Sequence, residues 1–263
     1  MIIIKSSEEI EKMRESGHIT ALVLRELEKN TEEGITTREL DRIAEDLIIK
    51  MKARPAFKGY RDFPCSTTIS INEEVVHGIP GRRKLRKGDI VSIDMGVFYR
   101  DYCSDAAITV AVGEISEDKK RLLKVTREAL YRGIEKAVQG LWLSELSSQI
   151  QAHVESNGYS VVRDLVGHGI GRAMHEDPQV PNYKSDKSGP KLRAGMVLAI
   201  EPMVNMGTYE IEIKEDKWTV VTKDSKCSAH FEHTVAITSN GPRILTLPGS
   251  SSREEEYPFS RWN

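Results

Sequence analysis

Four carboxylates stand at the ends of short apolar runs, and their surroundings match in pairs. Asp94 closes the run Leu85-Arg86-Lys87-Gly88-Asp89-Ile90-Val91-Ser92-Ile93, and Glu201 closes Leu192-Arg193-Ala194-Gly195-Met196-Val197-Leu198-Ala199-Ile200. Asp105 precedes Ala-Ala-Ile-Thr-Val, and Glu232 precedes His-Thr-Val-Ala-Ile. A lone carboxylate beside Ile93 or Ile200 is costly to bury unless it is paired. Two related strand pairs facing each other would bring all four together, where they repel and need cations. The alternative, four unrelated acids at strand ends, leaves the matched pairs unexplained. Oxygen ligands joined by an imidazole suit Mn, Fe, Co or Zn.

The imidazole candidates cluster as well. Val166 to Glu176 holds His168 and His175 among three glycines, which permit close backbone approach and irregular turns. His77 stands before Gly78-Ile79-Pro80. A lone histidine is more often structural, and His18 and His153 read as helix positions. His233 follows Glu232, so strand alternation points it away from the site.

The elements that must position these groups alternate in type. Ser6 and Glu9 form a capping box ahead of Ile10, Met13, Gly17, Leu24 and Leu27 at helical spacing. A second box, Thr36 and Glu39, precedes Leu40, Ile43, Leu47 and Ile48. Arg54 to Ser66 reads as loop. Short β-type runs follow at Thr67–Ile71, Ile90–Asp94 and Ala106–Ala111. Helices return over Leu122–Gly140 and from Ser144 to a stop at Asn157-Gly158. Strands are expected at Met196–Val204, Tyr209–Ile213, Trp218–Thr222 and His233–Thr238. This order argues for an α+β fold built twice. The second half carries about 20 extra residues between its two acids, Trp218 among them. Residues 1–248 read as a single catalytic domain, and 249–263 as a flexible tail whose Tyr257, Phe259 and Trp262 could dock.

Composition bounds the rest. The chain has 263 residues and a net charge of -2, which argues against a generally basic nucleic-acid binder but not against a local basic patch. No apolar stretch approaches the roughly 20 residues of a membrane span. Met1 to Lys5 is too short for a signal-peptide core. Three cysteines without a CxxC pair read as reduced thiols, so a cytoplasmic location is expected.

Seven motifs then occur in series: Val-Val-His-Gly-Ile-Pro, Ser-Ile-Asp-Met-Gly, Ser-Asp-Ala-Ala, Gly-His-Gly-Ile-Gly, Met-His-Glu, Ala-Ile-Glu-Pro-Met and Phe-Glu-His-Thr. Together they resemble the type I methionine aminopeptidases, in the short bacterial form, over residues 1 to 248. The resemblance implies the pita-bread fold, an α+β domain with pseudo-two-fold related halves and a curved antiparallel sheet covered by helices. It implies two divalent metal ions, with Asp105 and Glu232 bridging them, Asp94 chelating one, and His168 with Glu201 completing the other. It also implies removal of the N-terminal methionine of nascent peptides with a small second residue. A water or hydroxide between the metals would attack the first peptide bond, and Glu201 would move its proton. His77 and His175 match the two histidines that contact the scissile amide and the developing oxyanion.

By family position the methionine pocket would include Phe57, Tyr60, Phe63, Thr68, His77, Met203 and Trp218. A packed loop is the plainer account of Phe57, Tyr60 and Phe63. The Phe57 and Thr68 positions are a small residue or cysteine in some relatives, and His230 stands where a glutamine is familiar in the family. A monomer is the family default. An X-Pro aminopeptidase or dipeptidase of the same fold, and a non-catalytic pita-bread binding protein, are the competing readings. Arg82, Arg83, Lys84, Arg86 and Lys87 form a basic turn that could contact the ribosome, or be merely solvated.

Overall fold

A computed structural model describes residues 1–249; residues 250–263, most of the expected tail, lie outside the described residues. The chain runs α1 (Ser7–Asn30), α2 (Thr37–Lys50), β1 (Arg54–Pro55), β2 (Thr68–Ile71), β3 (Glu74–Val76), β4 (Ile90–Tyr99) and β5 (Tyr102–Ala111). It continues with α3 (Glu117–Glu135), α4 (Leu143–Ser156), β6 (Ser160–Val161), β7 (Gly167–Gly169), β8 (Glu176–Val180) and β9 (Val197–Ile200). The last elements are β10 (Met203–Asn205), β11 (Ile211–Ile213), β12 (Val220–Thr222), β13 (Ser228–His230), β14 (Glu232–Thr238) and β15 (Gly241–Ile244).

Both capping boxes form. Ser6 Oγ accepts the Glu9 amide at 3.2 Å, and Glu9 accepts the Ser6 amide at 2.9 Å. Thr36 and Glu39 do the same at 3.2 and 2.8 Å. The apolar stripe of α1 is buried as the spacing predicts, Gly17 included. Each half then has its own core. In the first, Leu24, Leu27, Leu40 and Ile48 pack on Ile69, Val91, Ile93 and Val110. In the second, Leu122, Leu130, Leu146 and Ile150 pack on Leu198, Ile200, Val235 and Ile237.

The main sheet runs β1-β4-β5-β14-β9-β7-β8, with β2 also on β4 and β15 on β14. Among the described residues every pairing in it is antiparallel. The pairs β4–β5 and β9–β14 are the two matched units of the sequence, and they meet where β5 pairs with β14. Two small sheets, β13-β10-β6 and β11-β12-β3, flank this centre. The extra residues of the second half therefore build β10 to β13.

Three expectations are corrected. The strands of the first half run on to Tyr99 and start again at Tyr102, well beyond Ile90–Asp94 and Ala106–Ala111. Arg100 and Asp101, at φ 49° and 67°, make the two-residue turn that closes this hairpin. Met196–Val204 is two strands in different sheets, because Pro202 has no amide to donate and restricts Glu201 before it. The third helix starts at Glu117, capped by Ser116, and ends at Glu135, so Gly140 serves the following turn instead.

One buried carboxylate ties the helical layer to the sheet. Asp41 on α2 accepts the Ser66 amide at 2.9 Å, the Thr67 amide at 2.8 Å and the Thr67 hydroxyl at 2.9 Å. Burial pushes its pKa above the usual range, and these bonds pull it partly back. Asp41→Ala strands two buried amides and should cost about 2–4 kcal/mol. Denaturant unfolding at fixed metal content should show a lower midpoint with an unchanged slope.

Candidate metal centre

Sheet register gathers the four carboxylates on one face. Thr68 lies opposite Asp94, Asp94 opposite Ala107, and Ala107 opposite Glu232. Glu201 follows Ile200, which pairs with His233, so it extends the same row. Asp105 lies two residues before Ala107 and shares its face. His168 pairs with Ala199, two residues before Glu201. His233 is turned away, as alternation requires, and bonds Tyr131 Oη and Thr246 Oγ1 at 3.0 and 2.9 Å.

This face is nearly dry. Asp105 is 4% exposed and Glu232 2%. Burial pushes the Asp94 carboxyl up to about 7. It raises Asp105, Glu201 and Glu232 well above the carboxylate range, with mutual repulsion adding to the effect. Asp94 Oδ1, Asp105 Oδ1 and Glu232 Oε1 are buried without a hydrogen-bond partner. Donor atoms of Asp105, His168 and Glu232 all lie within 4.8 Å of one another. Acceptor oxygens converging without a donor fit a divalent cation, which would satisfy their lone pairs and hold all four groups ionised.

His168 is held as a neutral imidazole able to serve as a ligand. Its Nδ1–H donates to the Gly169 carbonyl at 2.9 Å, which leaves the Nε2 lone pair facing Glu201 Oε1, 3.6 Å away. Burial lowers its pKa to about 4, and nearby His175 adds to this. A side chain at Gly169 would place its Cβ 2.1 Å from the Asp177 carbonyl oxygen, so β8 approaches as closely as glycine permits.

Above the carboxylates lies a cavity of about 200 Å³. All thirteen residues singled out from the sequence line it, those of the Arg54–Ser66 segment included. Tyr60 stacks on His175 at 5.3 Å, and the His175 ring is 4.1 Å from that of His168. Phe63 meets Trp218 edge-on at 5.0 Å, and Trp218 meets His77 at 6.4 Å. Thr68, expected as wall, also donates to Asp94 at 3.5 Å. His77 has φ 60°, a left-handed strain held at the cavity edge. Burial lowers its pKa to about 4.

Sequence reasoning missed part of the lining: Arg61, Val76, Leu165, Val166 and Met174. Arg61 follows Tyr60, and its charge adds to the burial that lowers the His175 pKa. The spacing of an irregular segment carries no signal for this. His230 sits 1% exposed behind the centre, with Nε2 4.0 Å from Glu201 Oε2.

A buried carboxylate–imidazole centre, at the seam of two matched halves and open to a half-apolar cavity, is the site of a metal-dependent hydrolase. Residues 11–239 match metallopeptidase family M24, and the chain belongs to this family. Within it the chain is 57% identical to the methionine aminopeptidase of Clostridium acetobutylicum over 248 residues, 94% of this chain and 99% of that protein. It is 54% identical to methionine aminopeptidase 1 of Bacillus subtilis over 246 residues, again 94% and 99%. The crystal structure of methionine aminopeptidase from Thermotoga maritima matches with a TM-score of 0.92 at 48% identity, over 94% of this chain and all of that one. The pita-bread fold implied by the sequence motifs is the fold observed.

Asp105 and Glu232 lie at the middle of the centre, and Asp94 at its margin. Asp105→Ala or Glu232→Ala should therefore lose more bound divalent metal than Asp94→Ala. Elemental analysis after equilibrium dialysis against Mn checks this; a Glu232→Ala protein that keeps its full metal content contradicts the assignment.

Proposed function

We infer that the chain is a methionine aminopeptidase, removing the initiator methionine from nascent polypeptides whose second residue is small. The carrying observation is the set of four carboxylates, three buried and Glu201 mostly so, and His168, converging beneath a cavity walled by aromatics and methionine. The near-complete coverage of methionine aminopeptidases favours this over an X-Pro peptidase, and the converging ligand set favours it over a non-catalytic binder.

In our reading Asp94, Asp105, His168, Glu201 and Glu232 would together hold two divalent ions, with Asp105, His168 and Glu232 the most closely gathered of the donors. The ions are Co, Mn, Fe or Zn by ligand type. Bound there, such an ion lowers the pKa of a coordinated water to near neutrality and polarises a carbonyl. Glu201 accepts the proton of the attacking water and passes it to the leaving amine. His175 is neutral, because burial and then Arg61 lower its pKa, so it can donate an N–H to the developing oxyanion without bringing a charge. His77 contacts the scissile amide. Phe57, Tyr60, Phe63, Met203 and Trp218 surround the thioether, which packs well on aromatic faces. The cavity of about 200 Å³ is also lined by His77 and His175, which suits a small second residue beside the methionine.

We place the active unit in residues 1–248, working as a monomer in the cytoplasm; no helix among the described residues is long and apolar enough to cross a membrane. The basic turn is anchored through its backbone to the start of α2, and Leu85 within it is buried. Arg82, Lys84 and Arg86 project outward; Arg83 also pairs with Glu74 at 3.4 Å, and Lys87 with Glu114 at 3.9 Å. This rigid cationic ridge suits contact with ribosomal RNA phosphates.

Met-Ala-Xaa peptides should be cleaved far faster than Met-Lys-Xaa, and X-Pro peptides whose first residue is not methionine not at all; equal rates for Met-Ala-Xaa and Met-Lys-Xaa in a steady-state assay contradict an enclosed site. His175→Ala should lower kcat by roughly 10²-fold, the scale of one oxyanion donor, with metal content unchanged. Reversing Arg82, Arg83 and Lys84 to Glu should weaken ribosome co-sedimentation at low salt and leave short-peptide cleavage intact. Sedimentation like that of the parent would leave the turn merely solvated.

A further inference from the structure

His175 stands on an irregular segment, residues 170–175, that belongs to no helix or strand, yet its ring must hold one position over His168. The segment is gripped from the opposite end of the sequence. Lys5 Nζ lies 2.6 Å from Glu176 Oε2, and the two side chains are 3% and 6% exposed. Glu176 is the residue next to His175, and its other oxygen accepts the Ala173 amide at 3.2 Å, closing the loop on itself. The loop folds tightly round the pair: a Cβ at Gly171 would fall 2.5 Å from Glu176 Oε1 and 2.6 Å from Lys5 Cε. Lys5 is itself fixed, since its amide donates to the Gly195 carbonyl at 2.8 Å. A second grip lies alongside, where Arg172 covers the Tyr102 ring at 4.7 Å and approaches Glu9 Oε1 at 3.9 Å. Glu9 closes the capping box of α1, so residues 5–9 meet the loop at both Arg172 and Glu176.

A buried ion pair adds little net stability, because desolvation offsets most of its attraction; a methionine at position 5 could fill the space. What the pair supplies is register. A buried ammonium has to meet its one carboxylate, and that fixes the backbone one residue from His175. We propose that Lys5 is a positioning residue for His175, acting through Glu176 and the 170–176 loop. The proposal rests on the role given to His175 above.

The test is Lys5→Met in the metal-loaded enzyme, alone and combined with His175→Ala. Displacing a catalytic group by about 1 Å costs up to 10²-fold. Lys5→Met should therefore lower kcat on Met-Ala-Xaa by about 10-fold or more. KM should change less than kcat, since neither Lys5 nor Glu176 lines the cavity. Metal content should equal the parent's. In the His175→Ala background the same change should cost nothing further, because the group it positions is gone. Hydrogen exchange should speed up at the Gly171 and Ala173 amides and not in α3 or α4. An unchanged kcat, or losses that multiply in the double variant, overturns the proposal and leaves the pair merely structural. If Lys5→Met fails to fold, Glu176→Gln keeps volume and the Ala173 acceptor while weakening the same pair, and the same pattern is expected. If the parent itself releases no methionine, the functional reading falls; unchanged exchange at Gly171 and Ala173 in Lys5→Met would separately show that Lys5 does not hold the loop.

Discussion

The structure is organised around the burial of four carboxylates on one face of one sheet. Desolvation opposes their charge, and each repels the others, so burial and mutual repulsion together drive their pKa values up. The protein offers them few donors: Thr68 reaches Asp94, and His168 approaches Glu201 with a lone pair rather than a proton. Such a face is tolerable protonated, or ionised with a divalent cation among the carboxylates, so metal binding at this face would be coupled to release of protons. The same absence of water makes a bound ion effective as a Lewis acid.

Doubling is the economical way to build that face. One hairpin places two acids on one side of a strand pair. Repeating the unit and joining the copies edge to edge, β5 against β14, brings the second two alongside. Each copy carries its own pair of helices and its own apolar core, so the acids sit at the seam rather than within either core. The seam therefore keeps its geometry while the outer layers supply the stability.

What lies above the seam does not repeat. The aromatic segment between β1 and β2, the histidine-bearing loop after β7, and the residues between Glu201 and Glu232 come from three unrelated places and close one cavity. These parts form the walls of the cavity, while the repeated parts supply the carboxylates of its floor. The loop that carries His175 has no ladder of its own and borrows rigidity from residues 5–9 through a buried ion pair.

Much of this was legible in the residues themselves. Capping boxes and periodic apolar positions define helices through contacts within a few residues, so α1 and α2 start where Ser6 and Thr36 place them. Matched runs before Asp94 and Glu201 showed that the sheet centre is built twice, and the motifs named residues that the fold brings together there. Local sequence did not show that β4 and β5 continue to an Arg100-Asp101 turn, because Arg100 is not a usual choice for positive φ and no glycine marks the turn. It did not show that one apolar run divides at Pro202 between two sheets. Nor could it show that Lys5 meets Glu176 or that Arg61 faces His175, contacts that no periodicity encodes. Residue type and short-range spacing determined which groups can bind metal and where the helices begin. The tertiary structure decided which strands pair, in which register, and what stands over the carboxylates, because those choices depend on burying surfaces far apart in the chain.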